Sequence, residues 1–366
     1  MRPLAAHIDL DALRHNYQLA CSCAPQSRSV AVIKADAYGH GALACAQALE
    51  ADVPAFAVAC IEEALALRAG GIKKPIILLE GIFSAEELAL VDQHEFWISV
   101  HSEWQVAALL AFSPRQPIPV WLKVDSGMHR LGFSPEEAPS VWQRLANAPQ
   151  VTALHLMSHF ATADAREGSY FNQQMVVLKR LAEQLNAPLC LANSPATLAW
   201  PTAHGDWNRP GVMLYGSDPL EVANEVTQQL RPVMSLRSEI IALRELGIGE
   251  QVGYGGRWRA ERRSRIAVVA AGYGDGYDRH AVDGTPVLVN GKRCAIAGKV
   301  SMDMLTVDVT DIPEATIGSE VVLWGASSDG TVLPIDEVAR YCDTISYTLL
   351  TGVLPRVPRH YHGARI

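Results

Sequence analysis

The 366-residue sequence lacks any run of eighteen consecutive apolar residues, which excludes a membrane-spanning helix of ordinary length. It also has few clusters of positive charge. Apart from Arg262, Arg263 and Arg265 no block of Lys and Arg stands out, and 31 Lys and Arg against 39 Asp and Glu leave a formal net charge of -8. We therefore expect neither a nucleic-acid partner nor a membrane-surface partner.

Paired cysteines are missing as well. The seven Cys are odd in number and scattered, without a CxxC pair, so we expect most of them to be buried free thiols of a reducing compartment. Cys21 and Cys23 point to different faces of a predicted helix, and we predict no metal site there or elsewhere. At the amino terminus, His7 and Asp9 interrupt the apolar run that a signal peptide needs, so we expect a cytoplasmic protein.

The first 230 residues contain a regular alternation of short apolar runs and helical patterns. With 49% hydrophobic residues, the chain has enough apolar side chains for a large core. The predicted strands are residues 29–33, 55–60, 75–79, 96–100, 118–124, 153–157, 188–192 and 210–215. Eight strands separated by crossover helices favour a closed parallel (β/α)8 barrel, a TIM barrel, over an open doubly wound sheet.

Beyond residue 230 the pattern changes to strands joined by turns. The segment Val289-Asn290-Gly291-Lys292 is typical of a two-residue hairpin, and only residues 334–343 have a helical pattern. We therefore predict an α/β protein of two domains. Residues 1–230 form the barrel, and residues 231–366 form a mostly antiparallel β domain.

One stretch of the predicted barrel ends a β-branched strand in a lysine. Val32 and Ile33 precede Lys34, and small residues with two glycines follow it. Ligands bind at the carboxyl ends of strands in parallel α/β folds. A lysine that is partly desolvated there loses its charge more easily, so it can act as a base or form a Schiff base with an aldehyde cofactor. The alternative is a surface lysine that ends a strand.

Polar residues follow the other predicted strands too, and a closed barrel would gather them at one mouth. They are Tyr38, Glu62, Glu80, His101, Lys123, Asp125, His159, Asn193 and Ser194, with Arg209 just before the last run and a turn at Gly216. Because every strand ends at something polar, this gathering alone does not define an activity.

The stretch Val32-Ile33-Lys34-Ala35-Asp36-Ala37-Tyr38-Gly39-His40-Gly41 resembles the cofactor-binding signature of the alanine racemases, which carry pyridoxal 5'-phosphate (PLP) on this lysine. Further matches to that family run in order through both predicted domains. They are residues 122–132 (LKVDSGMHRLG), 157–160 (MSHF), 193–194 (NS), 209–211 (RPG), 252–255 (VGYG), 271–277 (AGYGDGY) and 300–303 (VSMD). One such motif is weak evidence, whereas seven in order are specific.

The resemblance implies a homodimeric enzyme that interconverts L- and D-alanine, either supplying D-alanine for peptidoglycan or degrading it. Lys34 would carry PLP and act as a base on one face of the substrate. Tyr254 of the partner subunit would act on the opposite face, because returning the proton to the same face mostly regenerates the starting enantiomer. Each active site would therefore be shared between two subunits.

The same resemblance implies the other cofactor-binding residues. Arg209 would face the pyridine nitrogen, and because an arginine only donates hydrogen bonds, that nitrogen would stay unprotonated. His159 would lie nearby. The phosphate ligands would be Tyr38, Ser194, the backbone amides of Gly211 and Val212, and Tyr347.

For the substrate, the resemblance implies that Arg130 and the backbone amide of Met302 bind the carboxylate. Asp303 and Tyr273 would line the entrance. So crowded a pocket favours a side chain about the size of a methyl group.

Lys123 is a candidate for carbamylation, by the same resemblance. An unmodified amine near Arg130 would bring like charges together, whereas a carbamate would accept a charge-assisted hydrogen bond from that arginine. The alternative is an ordinary strand-end lysine paired with Asp125.

Three other functions stay open. A PLP-dependent decarboxylase of the same architecture would need an acidic partner for the pyridine nitrogen and a Gly-rich phosphate loop, where this chain has Arg209 and Ser194. A racemase of broader specificity is not excluded by Met302 and Tyr273. A PLP-carrying homeostasis protein would resemble the barrel half alone, so the predicted β domain counts against it.

Overall fold

Parallel strands between residues 28 and 208 close into a barrel in the computed structural model, which describes residues 2–363. The strands are Arg28–Ser29, Ala31–Val32, Phe56–Val58, Ile76–Leu78, Trp97–Val100, Ile118–Lys123, Val151–Met157, Leu189–Cys190 and Trp207–Asn208. The first two are halves of one extended segment, which pairs with Trp207–Asn208 on one side and with Phe56–Val58 on the other. Eight parallel strands therefore form a ring, which confirms the predicted barrel.

One helix precedes the barrel strands, and the others connect them. The helices are Leu10–Cys23, Lys34–Gly39, Ala42–Leu49, Ile61–Ala69, Glu87–His94, Glu103–Ala111, Ala138–Ala146, Ser169–Leu185 and Ser194–Ala199. Strand residues such as Ile76, Ile77 and Leu78 are fully buried. Because both faces of a parallel strand are covered, these strands are continuous apolar runs rather than alternating ones. Among residues 2–363, no helix is both long and apolar enough to cross a membrane.

The eighth strand lies earlier in the chain than predicted. It is Trp207–Asn208, whereas the predicted run 210–215 contains the 3₁₀ helix Val212–Tyr215. Pro210 has no N–H to donate to a neighbouring strand. The apolar run is buried and packs against the helix Leu10–Cys23. The prediction was wrong because a short buried run gives the same sequence pattern in a strand as in a helical turn.

After residue 230 the chain forms a second, mostly antiparallel sheet, as predicted. Its strands are Met234–Leu246, Ser264–Val269, Pro286–Val289, Lys292–Ile296, Leu305–Asp308, Glu320–Ala326 and Val332–Leu333, with a separate pair of Gln251–Val252 and Trp258–Arg259. Glu320–Ala326 pairs with both Pro286–Val289 and Met234–Leu246, so six of these strands also close into a ring. The hairpin predicted at Asn290-Gly291 joins two of them.

Both ends of the described chain join this second sheet. Ala5–Asp9 pairs antiparallel with Met234–Leu246 and parallel with Arg359–His362. Asp9 then caps the first barrel helix, since its Oδ1 accepts from the N–H groups of Asp11 and Ala12, each at 2.9 Å. The domain boundary near residue 230 stays a prediction.

Two helices of the second half, Ile335–Tyr341 and Ser346–Gly352, bring that half into contact with the barrel. Ser217, at the end of the barrel, donates to Oδ1 of Asp336 at 2.6 Å and shares a second hydrogen bond of 2.6 Å with Ser346. Burial raises the pKa of Asp336. These contacts fix the helix Ser346–Gly352 beside the carboxyl ends of the barrel strands.

A buried carboxylate ties residues near both ends of the chain to a loop of the second sheet. Asp275 is 1% exposed, and it accepts from Arg2 Nη2 at 2.7 Å and from Arg356 Nε at 2.6 Å. Arg356 also donates to Asp303 at 2.7 Å. Burial raises the pKa of Asp275, but the hydrogen bonds from the two guanidinium groups and from the N–H of Gly272 outweigh it, so the pKa lies below its usual value.

We expect Asp275→Asn to lower the free energy of unfolding by about 2 kcal/mol, because two partly exposed guanidinium groups lose their carboxylate. The folded protein keeps this carboxyl charged to lower pH than the unfolded chain does. The stabilisation is therefore present above the unfolded pKa of about 4 and is lost as the pH falls through the folded value. Urea denaturation of the wild type and of Asp275→Asn, from neutral pH to below pH 4, measures the difference in unfolding free energy.

Asp311→Asn is the control, because it removes the partner of Arg262 in an ion pair exposed on both sides. It should leave the unfolding free energy unchanged. An equal loss in both variants, or a loss at Asp275 that does not depend on pH, would contradict the prediction.

Candidate active site

The residues after Lys34 form a left-handed turn. Lys34 follows the strand Ala31–Val32, and the four residues 35–38 have φ between 52° and 53°. A residue with a side chain pays roughly 1–2 kcal/mol in this conformation, so four in succession store on the order of 4–8 kcal/mol. Such strain persists only where the surroundings enforce it, and it is concentrated at functional sites. The sequence signalled the lysine but not the turn, because none of the four residues is glycine.

Polar contacts within the loop hold the turn. Asp36 Oδ1 accepts from the N–H of Ala42 at 2.7 Å. Nδ1 of the buried His40 lies 2.9 Å from the carbonyl oxygens of both Ala37 and Tyr38. Burial lowers the pKa of His40 to about 4, so a neutral ring donates from Nδ1 to these carbonyls. His40 lies in the lysine motif, but the sequence indicated no role for it. In the structure it stabilises the turn through these two hydrogen bonds.

The far end of the turn abuts the helix Ser346–Gly352. A Cβ on Gly39 would lie 2.3 Å from the carbonyl oxygen of Leu350, so no larger residue fits there. Tyr347 of the same helix has its ring 5.9 Å from that of Tyr38, centroid to centroid. The second half of the chain therefore delivers Tyr347 to the barrel mouth.

The turn also places the Tyr38 hydroxyl against Gly211. A Cβ on Gly211 would lie 2.6 Å from Tyr38 Oη, so only glycine leaves this space open. Ser194 Oγ accepts from the N–H of Gly211 at 2.8 Å and from that of Met213 at 3.3 Å. Hydroxyl donors around a small opening suit a phosphate dianion, and Ser194 keeps its own O–H to donate while it accepts from these two amides. This donor set fits the phosphate of PLP.

Tyr215 belongs to the same cluster, although sequence reasoning missed it. Its ring lies 4.8 Å from that of Tyr38, and its hydroxyl donates to the carbonyl of Val32 at 3.0 Å. Burial raises the pKa of Tyr38, Tyr215 and Tyr347. All three hydroxyls therefore stay protonated near neutral pH, and that of Tyr215 is already committed as a donor to Val32.

Arg209 is held by acceptors from two neighbouring strands. Nη1 donates to the carbonyl oxygen of Cys190 at 2.5 Å and to its Sγ at 3.1 Å. Nη2 donates to the carbonyl oxygens of Ser158 at 2.6 Å and Leu191 at 3.2 Å. Within residues 2–363, Nε of this buried side chain makes no hydrogen bond, which leaves its N–H for a ligand.

Positive charge accumulates at the barrel mouth. The basic side chains that influence one another are Lys34, Lys123, Arg130, His159 and Arg209. Burial, followed by the charge of Arg209, lowers the pKa of His159 to about 3 and that of Lys123 to about 8. His159 is therefore neutral near pH 7. Fixed positive charge of this kind favours an anionic ligand such as a phosphate or a carboxylate.

The catalytic and substrate residues predicted in the second half lie at its surface. Tyr254 is 67% exposed and stands between two glycines of positive φ. Met302 is 54% exposed and Tyr273 is 37% exposed. Within the described chain, no hydrogen bond or ring contact joins Tyr254 to Lys34. The fold of one chain therefore gathers the predicted cofactor residues but does not bring Tyr254 into contact with the lysine.

Backbone contacts fix the loop that carries Met302 and Asp303. The N–H of Gly274 donates to the carbonyl of Met302 at 2.8 Å, and Arg2 donates to the carbonyl of Asp303 at 2.7 Å. Arg130 is predicted to bind the substrate carboxylate together with the amide of Met302. It is exposed and belongs to the barrel half of the chain. No cluster of three His, Cys, Asp or Glu side chains suited to a metal ion occurs between residues 2 and 363.

Family models match both halves of the chain. The model of the alanine racemase N-terminal domain matches residues 8–219, and that of the alanine racemase C-terminal domain matches residues 233–361. An alanine racemase of Chromohalobacter salexigens is 70% identical over 364 residues and is aligned over 99% of each chain.

Solved structures share the whole fold. The biosynthetic alanine racemase of Pseudomonas aeruginosa superposes with a TM-score of 0.95 at 50% identity, over 99% of this chain and 100% of that one. An alanine racemase of Bartonella henselae with covalently bound pyridoxal phosphate superposes with a TM-score of 0.88 at 29% identity. The superposition covers 99% of this chain and 100% of that one. Barrel, second sheet and site together define an amino-acid racemase. The chain belongs to the alanine racemase family.

The left-handed turn predicts an unusual response to glycine. Ala35→Gly should raise the free energy of unfolding by about 0.5–1 kcal/mol, because the strain relieved exceeds the extra freedom of glycine in the unfolded chain. Ala66→Gly, at an exposed position of the right-handed helix Ile61–Ala69, is the control and should lower it by about 1 kcal/mol. Urea denaturation distinguishes the two signs. Destabilisation of similar size in both variants would argue against a strained turn.

Proposed function

We propose that this protein is a PLP-dependent alanine racemase, which interconverts L- and D-alanine with one base on each face of the substrate. The observation that carries the proposal is the strained turn, which follows Lys34 directly and brings the Tyr38 hydroxyl beside the opening at Gly211. The names of its relatives and the PLP bound in the Bartonella henselae enzyme support it.

The contacts at the mouth support the assignment of the cofactor residues. Lys34 would carry PLP covalently, and the neutral His159 would flank it. The phosphate would be bound by Tyr38, Ser194, the amides of Gly211 and Val212, and Tyr347. When bound, PLP makes the α-proton of alanine acidic by delocalising the negative charge left behind.

Arg209 controls protonation at the pyridine nitrogen. Its two terminal nitrogens are already bound to Cys190, Ser158 and Leu191, so Nε–H is the donor left for the ring. A guanidinium does not give up its proton near neutral pH. With PLP bound, Arg209 would therefore donate a hydrogen bond to the pyridine nitrogen without transferring a proton, which would limit the electron-withdrawing power of the ring and suppress side reactions.

Lys34 and Tyr254 exchange protons on opposite faces of the substrate. Once the amine of the substrate has replaced it on PLP, Lys34 Nζ would take or return the α-proton on its own side. Tyr254 does so on the other side, and it comes from the partner subunit of a homodimer. Its exposure and lack of contact with Lys34 in the single chain support this assignment. A phenol acts as a base near neutral pH only beside positive charge, which the barrel mouth supplies.

The substrate carboxylate binds Arg130 and the backbone amide of Met302. A backbone hydrogen bond from Gly274 holds Met302 in place, and the positive charge around Lys123 adds to the attraction. Asp303 and Tyr273 narrow the entrance. A methyl side chain fits such an entrance best, which favours alanine over larger amino acids.

We assign one role to each of the two domains. Residues 1–230 form the cofactor domain and residues 231–366 the domain that contributes Tyr254, although the strand Ala5–Asp9 pairs with the second sheet. All seven cysteines are free, which is typical of a reducing compartment and supports a cytoplasmic site of action.

Racemisation in deuterium oxide tests the activity. The purified protein should bind PLP and convert L-alanine to racemic alanine carrying deuterium at the α-carbon. Lys34→Ala should abolish this, and Tyr254→Phe should reduce it by about a hundredfold or more. Tyr341→Phe, at another exposed tyrosine, is the control. A protein that binds PLP without racemising alanine would contradict the proposal.

A mixed dimer tests whether the site is shared. We expect the purified dimer of one Lys34→Ala chain and one Tyr254→Phe chain to regain about half of the wild-type activity, because one of its two sites has both bases intact. If Tyr254 acted within its own chain, both sites would be defective and the mixed dimer would be inactive.

Lys123 should form a carbamate. Its pKa of about 8 leaves a fraction of neutral amine that can react with carbon dioxide, and a cavity of about 10 Å³ is lined by Lys123, Arg130 and His159. With ¹³C-labelled bicarbonate we expect a carbamate carbon signal that Lys123→Ala removes and that Lys292→Ala, at an exposed lysine, retains. A plain amine in the wild-type protein under these conditions would contradict the modification.

A further inference from the structure

The carboxylate of Glu63 joins two loops at the barrel mouth. Glu63 lies in the first turn of the helix Ile61–Ala69. Its Oε1 accepts from the N–H of Ala35 at 2.6 Å, and its Oε2 accepts from the N–H of Ala59 at 2.8 Å. Ala35 is the residue directly after Lys34 and the first of the left-handed turn. One side chain therefore connects the lysine turn to the end of the next strand.

Half of this arrangement is an ordinary helix cap that recurs around the barrel. In the next helix Glu87 accepts from the N–H of Phe83 at 3.0 Å, and in the one after it Gln105 accepts from the N–H of His101 at 2.9 Å. Each reaches back four residues, as Glu63 does to Ala59, and satisfies a donor before its own helix. The bond from Glu63 to Ala35 is additional, and helix capping does not account for it.

We infer that Glu63 is a positioning residue for Lys34. The inference rests on the proposed function, in which Lys34 carries the cofactor. The carboxylate fixes the first N–H of the left-handed turn, and the contact of Gly39 with Leu350 fixes the last residues. Because the turn is strained, it relaxes toward ordinary backbone conformations when either end is released.

The same contact affects the phosphate site. Lys34 precedes the turn and Tyr38 is its last left-handed residue, so a change in the turn moves both. Glu63 thereby sets the spacing between the lysine amine and the tyrosine hydroxyl that would bind the two ends of PLP. Only an ionised carboxylate does this, because it offers two acceptors to two N–H groups. A glutamine offers one acceptor and turns an NH₂ donor toward the other N–H.

Glu63→Gln in the holoenzyme tests the inference, with Glu87→Gln as its matched control. We expect Glu63→Gln to weaken PLP binding by about tenfold or more, as loss of a hydrogen bond to a charged group does. The readouts are PLP titration of the stripped enzyme by absorbance and the rate of cofactor release. The kcat should fall while the KM for alanine stays close to wild type, because Arg130 and Met302 are untouched. Glu87→Gln should behave as wild type.

Glu63→Asp gives a second and milder variant, which keeps the charge but is one methylene shorter. It should retain the fold and bind PLP with an affinity between those of Glu63→Gln and the wild type. Thermal unfolding of the stripped proteins shows whether weaker binding arises from general destabilisation.

The outcomes separate the inference from the proposed function. Wild-type PLP affinity and release rate in Glu63→Gln would overturn the inference and leave the proposed function standing. Equal losses in Glu63→Gln and Glu87→Gln would also overturn it, because both would then act only as helix caps. A wild-type protein that binds no PLP would overturn the proposed function and the inference with it.

Discussion

The left-handed turn of residues 35–38 is the constraint on which the site depends. Four residues with side chains occupy a conformation that each of them disfavours, and they do so immediately after the lysine at the end of a barrel strand. The left-handed turn, which follows Lys34 directly, brings the Tyr38 hydroxyl to Gly211 at the mouth. Glu63, Asp36 and the neutral His40 hold the turn in place.

The surroundings of the turn are built for an anion. Several basic groups share the mouth, and burial together with Arg209 lowers the pKa of both Lys123 and His159. In a protein without a bound anion this repulsion works against folding, and a phosphate or a carboxylate relieves it. The second half of the chain completes the site through the helix Ser346–Gly352, in which Ser346 shares a hydrogen bond with Ser217 at the end of the barrel. Binding of an anion at the mouth should therefore stabilise the fold, and the site depends on the contact between the two halves of the chain.

Much of the fold could be predicted from the sequence, because apolar runs indicate buried elements and turn residues indicate where these elements end. The barrel, the second sheet and the gathering of Lys34, Tyr38, Ser194 and Arg209 at strand ends are consequences of that pattern. The eighth strand was misplaced because a buried 3₁₀ turn leaves the same apolar pattern. The left-handed turn leaves no sequence pattern without glycine. Glu63 was overlooked because Cys60 stands at the cap position where Ser or Asp would mark a capping box. The roles of the site residues stay predictions.

The central claim is that the strained turn presents Lys34, rather than another basic group of the mouth, as the residue that carries the cofactor. The most direct measurement is to incubate the protein with PLP, reduce it with borohydride, digest it and identify the modified peptide by mass spectrometry. The account predicts one modified lysine for each chain, in the peptide that contains Lys34. Modification of Lys123 instead, or modification spread over exposed lysines, would contradict it.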